Sequence, residues 1–174
     1  SDHKFGWLTM RDIIAKSSNI GAIKIAQQVG RKPFYEYIRK FGFGEKSGLS
    51  LPGESPGQLK NLPSWTQLSL ASISFGHEIA VTPLQMVSAL ATIANGGNLM
   101  QPQIIKAFIK DGEVLEQFKP EKIRRVISEK TSLQMVEILK SAVKSGTGKK
   151  AALDGFDVGG KTGTAQKYNM VTQS

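Results

Sequence analysis

Apolar residues recur along this chain in two rhythms, one helical and one alternating, and the breaks between them divide it into elements. Thr9 and Asp12 form a Thr-x-x-Asp capping box, which predicts a helix through Ile13 and Ile14. Lys16-Ser17-Ser18-Asn19 interrupts that helix, because Ser and Asn side chains compete for nearby backbone groups. A second helix is predicted through Ile20, Ile23 and Ala26 or Gln27, ending near Gly30. Pro33 suits the first turn of a third, in which Phe34, Tyr37, Ile38 and Phe41 fall on one face before Gly42 and Gly44 stop it. Residues 45–64, rich in Gly and Pro, predict a long loop.

A short helix over Trp65–Ala71 capped by Ser64 is expected next. Thr82-Pro83 then starts a helix with an apolar stripe of Leu84, Val87, Leu90 or Ala91, and Ala94, closed by Asn95-Gly96-Gly97. Residues 103–118 read as two strands joined by Asp111-Gly112, a hairpin signal, and Lys122–Ile127 as another strand. Ser128 caps a helix carrying Leu133, Val136, Leu139 or Lys140, and Val143, which ends at Gly146. A glycine-rich turn leads to a last strand, Phe156–Lys167. Helices come first and strands after, so the expected fold class is α+β.

The chain has 174 residues, one domain's worth, with no repeats and a globular composition: 40% hydrophobic and 21% charged. Its formal net charge of +9 comes from scattered pairs such as Arg39-Lys40 and Lys149-Lys150. No basic run with interleaved aromatics is present, so nucleic acid is not the expected partner. With no cysteine there is no disulfide, thiolate metal site or Cys nucleophile. No apolar run reaches the roughly 18 residues of a membrane span. The opening Ser1–Met10 and the closing Lys167–Ser174 read as the interior of a longer sequence, so residues 1–174 are expected to be a domain truncated at both ends.

Two short segments carry candidate chemistry. In Lys161-Thr162-Gly163-Thr164 a regular strand places Lys161 and Gly163 on one face and Thr162 and Thr164 on the other. The glycine leaves that edge open to a ligand, and Lys161 supplies a cation for a carboxylate or for tuning a neighbouring donor. Ser17 and Asn19 stand two apart at the helix break: a hydroxyl can relay a proton and a carboxamide can orient an amide. The plainer alternatives are a glycine-rich strand and helix-end capping. His77 and Glu78 fit no metal spacing and read as loop packing, and Trp7 and Trp65 as core or cleft-lining aromatics.

Ser-x-Asn at 17–19 followed by Lys-Thr-Gly-Thr at 161–164 resembles the penicillin-binding protein and serine β-lactamase superfamily. The segments Gly6–Ala26, Phe41–Gly57, Val81–Gly97 and Val158–Lys167 are similar to the transpeptidase domain of class B penicillin-binding proteins. Ser69–Met86 resembles the division-type and sporulation-type members more than the elongation-type ones. The resemblance implies the penicillin-binding-protein fold, incomplete here, and a peptidoglycan D,D-transpeptidase acting through a serine acyl-enzyme on stem peptides and β-lactams. It assigns catalytic roles to Ser17, Asn19 and Lys161, and substrate contacts to Thr162, Gly163 and Thr164. It implies no metal or organic cofactor, contacts with other cell-wall machinery, and a membrane-anchored parent on the outer face of the cytoplasmic membrane. The family's nucleophile sits in Ser-x-x-Lys ahead of Ser-x-Asn, and residues 1–16 hold no such motif. Ser141–Lys144 matches the letters in the wrong order and on an amphipathic helix, where a polar face residue is expected. The alternatives are a β-lactam sensor or β-lactamase, or a non-catalytic scaffold module on the same fold.

Overall fold

The computed structural model describes residues 6–49 and 52–163. Helix α1 (Met10–Ala15) opens with the expected capping box, in which Asp12 N donates to Thr9 Oγ1 at 3.2 Å and Thr9 N donates to Asp12 Oδ2 at 3.1 Å. Helix α2 (Asn19–Val29) follows, and Gly30, at φ 85°, both ends it and precedes α3 (Arg31–Lys40). Gly21 is buried where α2 crosses α1, and a Cβ there would lie 2.7 Å from the Ile13 side chain. Glycine therefore sets how closely those two helices approach.

The long loop is anchored where β1 (Gln58–Leu59) pairs antiparallel with β2 (Ile79–Ala80). The expected helix over Trp65–Ala71 is displaced. Leu62–Ser64 is a 3₁₀ turn, Trp65 is extended, and α4 runs over Ser69–Ser74. Burial of Trp65 overrides local preference. Only 5% exposed, its ring meets Phe34 and Tyr35 edge-on and its Nε1 donates to Lys60 O at 2.9 Å. Trp7, by contrast, is fully exposed and belongs to neither core nor cleft among the described residues.

Helix α5 (Pro83–Ala94) begins with a Thr82/Gln85 capping box, and its packing face differs from the expected stripe. Val87 and Leu90 are exposed, whereas Gln85, Ala89 and Thr92 are buried. Gln85 faces inward because its Nε2 donates to Glu45 O at 2.8 Å and Pro56 O at 2.9 Å, holding the loop onto the helix.

Strand β3 (Asn98–Met100), absent from the expectation, pairs antiparallel with β6 (Lys122–Arg125). Between them the anticipated hairpin forms from β4 (Ala107–Lys110) and β5 (Glu113–Gln117), turning through Asp111 and Gly112 at φ 52° and 85°. Helix α6 (Glu129–Lys144), capped by Ser128, packs against α1 and α5. Leu133 on its expected stripe is exposed, and the buried residues are Ser132, Ala142 and Val143. No strand ladder forms over 156–163, the described part of the expected last strand. That segment lies along α6 instead, with Gly160 N donating to Leu139 O at 3.2 Å and Lys140 Nζ reaching Asp157 Oδ2 at 3.2 Å. The rest of that expected strand falls outside the described residues. The architecture is mixed helix and sheet, with a core of small side chains such as Ala26, Ala89 and Ala142 between the helices.

Candidate active site

The helix break at 16–18 is a Schellman turn. Ser18 N donates to Ile13 O at 2.9 Å and Ser17 N to Ile14 O at 3.1 Å, with Ser17 in the left-handed region at φ 55°. Glycine ordinarily takes that position, and a non-glycine residue there costs about 1–3 kcal/mol. The capping alternative for this segment is realised by the next residue: Ser18 Oγ accepts from Gly21 N at 3.2 Å and starts α2. Ser17 is left with an exposed hydroxyl free of capping duty.

That hydroxyl accepts a hydrogen bond from Lys161 Nζ at 2.8 Å, across 144 positions of sequence. The same ammonium donates to Thr162 O at 2.8 Å and Thr162 Oγ1 at 3.3 Å. Thr162 Oγ1 in turn shares a proton with Thr147 Oγ1 at 2.8 Å. The strict face alternation expected of a regular strand is therefore not kept, since Lys161 and Thr162 turn their polar atoms to one point. With no ladder over these residues, nothing imposes the pleat.

Burial pushes the Lys161 pKa down from its ordinary 10.5, and its hydrogen-bond partners among the described residues are all neutral oxygens. Among the described residues no carboxylate pairs with it within salt-bridge distance. An ammonium so held gives up a proton more readily than a surface lysine, and it donates to Ser17 while charged. Asn19, the first residue of α2, is exposed beside Ser17 and bonds to no other described residue through its carboxamide. Gly163 is exposed with open space where a Cβ would stand. Thr164 lies outside the described residues.

Thr147 belongs to this cluster, although the sequence marks it only as part of a glycine-rich turn. Its one visible signal was its place between Gly146 and Gly148. Ser141 is elsewhere engaged, accepting from Arg11 Nη1 at 2.7 Å and donating to Glu137 O at 2.9 Å, which ties α1 to α6. Glu78, at φ 56°, accepts from Ser69 Oγ at 2.9 Å and Lys60 Nζ at 3.2 Å, closing the β1–β2 end onto α4. The described residues hold no cluster of three or more potential metal ligands, and no helix among them is long and apolar enough to cross a membrane. A groove of about 390 Å³ between the 45–48 loop, β3 and β6 includes none of the candidate residues. The candidate site is an open face at the junction of α1, α2 and the 159–163 segment.

A model of the penicillin binding protein transpeptidase domain matches residues 2–174. Penicillin-binding protein PbpB of Mycolicibacterium smegmatis is 41% identical over 169 residues, covering 92% of this chain and 26% of that protein. Stage V sporulation protein D of Bacillus subtilis is 38% identical over 164 residues, covering 93% and 25%. Penicillin binding protein 3 of Mycobacterium tuberculosis, solved with aztreonam, superposes with a TM-score of 0.87 at 36% identity, covering 95% of this chain and 38% of that one. The transpeptidase domain of Burkholderia pseudomallei penicillin-binding protein 3 gives 0.85 at 34% identity, covering 99% and 50%. The chain thus spans about a quarter of the length of the curated relatives it matches.

Proposed function

This chain belongs to the penicillin-binding protein transpeptidase family, and from that premise we propose that it forms part of a peptidoglycan D,D-transpeptidase. The enzyme cross-links stem peptides through a serine acyl-enzyme and is acylated by β-lactams. The observation that carries the reading is the 2.8 Å contact between Lys161 Nζ and Ser17 Oγ, which joins the two motifs across the fold.

In this reading a serine hydroxyl from polypeptide outside residues 1–174 attacks the penultimate D-Ala carbonyl of a donor stem. Its proton passes to the leaving amine as the C–N bond breaks and D-Ala departs. An amine of a neighbouring stem then attacks the acyl carbonyl, the C–O bond to serine breaks, and the amine's proton returns to the serine oxygen as the cross-link forms. Ser17 relays the proton, and Lys161, its ammonium weakened by burial, tunes Ser17 as donor and acceptor. Asn19 holds the stem-peptide amide. Thr162 and Gly163 shape the edge along which the substrate lies, and Thr164 takes the terminal carboxylate, with a backbone N–H near it forming half of an oxyanion hole. The intact protein is tethered at the outer face of the cytoplasmic membrane and works with other wall-synthesis or division proteins.

Intact-mass measurement after incubation with penicillin tests this. The full-length polypeptide is expected to gain one adduct, and a polypeptide of residues 1–174 none. An adduct mapped to Ser141 or Ser17 would overturn the assignment of roles. A full-length protein that binds penicillin but cross-links no stem peptide would be a sensor instead.

A further inference from the structure

The turn Ser145–Gly148 touches both halves of the candidate site. Gly146 N and Gly148 N donate to Ala142 O at 3.1 and 3.0 Å, so the last turn of α6 holds the loop from below. Thr147 N donates to Ala15 O, the last residue of α1, at 3.0 Å. A Cβ on Gly146 would lie 2.2 Å from that same carbonyl, so only glycine admits the approach. Through its side chain Thr147 meets Thr162 Oγ1 at 2.8 Å. Lys161 Nζ, bonded to Thr162 and to Ser17, completes a ring that returns to α1.

We infer that Thr147 is a positioning residue for the transpeptidase site: its backbone fixes the end of α1 and its hydroxyl fixes the Thr162 rotamer, and together these set the Lys161–Ser17 contact. The inference rests on the transpeptidase reading above. Thr162 is β-branched, so one hydrogen bond suffices to select its χ1 and with it the place of Oγ1 beside the ammonium. Without Thr147 Oγ1, Thr162 is free to turn away, and Lys161 loses one of its three acceptors. Thr147 is exposed, so the loss of its hydroxyl leaves no buried group unpaired and spares the fold.

The test uses the full-length polypeptide and stopped-flow acylation by a fluorescent penicillin, separating the noncovalent dissociation constant from the acylation rate constant. Thr147→Val is expected to slow acylation about fivefold, the scale of one hydrogen bond, with the dissociation constant within about twofold and Tm unchanged. Thr147→Ser, which keeps the hydroxyl, is expected to restore the rate. Adding Thr147→Val to Thr162→Val is expected to cost nothing further, because both act through one bond. Wild-type acylation by Thr147→Val would overturn the inference, as would a Thr147→Ser variant as slow as Thr147→Val. Should Thr147→Val fail to fold, Thr147→Ala against Thr147→Ser carries the same comparison. A wild-type protein that takes no penicillin would instead defeat the transpeptidase reading itself.

Discussion

Two lysines in this fold are held in opposite ways. Lys60 reaches the Glu78 carboxylate at 3.2 Å, and that carboxylate also accepts from Ser69 Oγ at 2.9 Å. These bonds, the Ser69 hydroxyl first and then Lys60, hold the Glu78 carboxyl below its ordinary 4.5. Among the described residues Lys161 meets only hydroxyl and carbonyl oxygens, and burial lowers its pKa. The first cluster satisfies opposite charges and ties β1–β2 to α4. The second, among the described residues, gives no carboxylate to an ammonium beside an exposed serine in a left-handed conformation. This difference is what the proposed transpeptidase reading requires of Ser17 and Lys161, and it makes the two clusters respond differently to substitution.

If that contrast holds, Lys161→Met should slow penicillin acylation of the full-length polypeptide by about a hundredfold or more while leaving Tm nearly unchanged. Burial disfavours the charged form of Lys161 and no described carboxylate pairs with it, so removing the charge forfeits hydrogen bonds at an exposed face but no described ion pair. A collapse of Tm with the rate preserved would reverse the two roles.

Gly146→Ala comes next. The added methyl meets the Ala15 carbonyl, so thermal unfolding should report a loss of about 1–3 kcal/mol, with slower acylation because the end of α1 shifts. An unchanged Tm would show that α1 and the turn move apart freely.

Glu78→Gln should act on stability and spare the rate. A carboxylate with a depressed folded-state pKa stabilises the fold above its unfolded value, and that contribution fades as pH falls through the lower folded-state value. Asp12 and Glu54 are depressed by the hydrogen bonds of Thr9 and Ser47, so wild-type Tm should fall on acidification below about pH 4.5. The Gln variant should start lower at neutral pH and fall less steeply. An acylation rate reduced with unchanged Tm would move Glu78 into the site.

Ser141→Ala should have the smallest effect, within about 0.5 kcal/mol in stability and none on acylation. It loses the bond from Arg11 and its own bond to the Glu137 carbonyl, both at an exposed position. Loss of the penicillin adduct in this variant would make Ser141 the nucleophile.

The caps at Thr9, Thr82 and Ser128 and the turn at Asp111-Gly112 were legible because each is closed within three or four residues. The hairpin extent was shorter than its apolar run, since pairing and not hydropathy ends a strand. Trp65 is the core aromatic expected, but the helix expected over Trp65–Ala71 is displaced because that ring packs against Phe34 and Tyr35, 30 positions or so away in sequence. The inward face of α5 was misjudged because Gln85 is recruited by carbonyls of the 42–56 loop, and an apolar count cannot register a polar anchor. Lys161 and Ser17 were named from motif spelling. Their contact was not predictable from strand alternation, which fails where no ladder forms.

Local chemistry therefore settled where helices start, where the hairpin turns and which residue types stand in the two candidate motifs. Those depend on neighbours a few residues apart, whose geometry the backbone limits to a few options. Tertiary packing settled which of Ser17 and Ser18 caps a helix and which faces Lys161, that β3 pairs with β6, and that Thr147 joins the site. Each of these is a meeting of distant segments, and its geometry depends on close approaches such as Gly21 on Ile13 and Gly146 on Ala15.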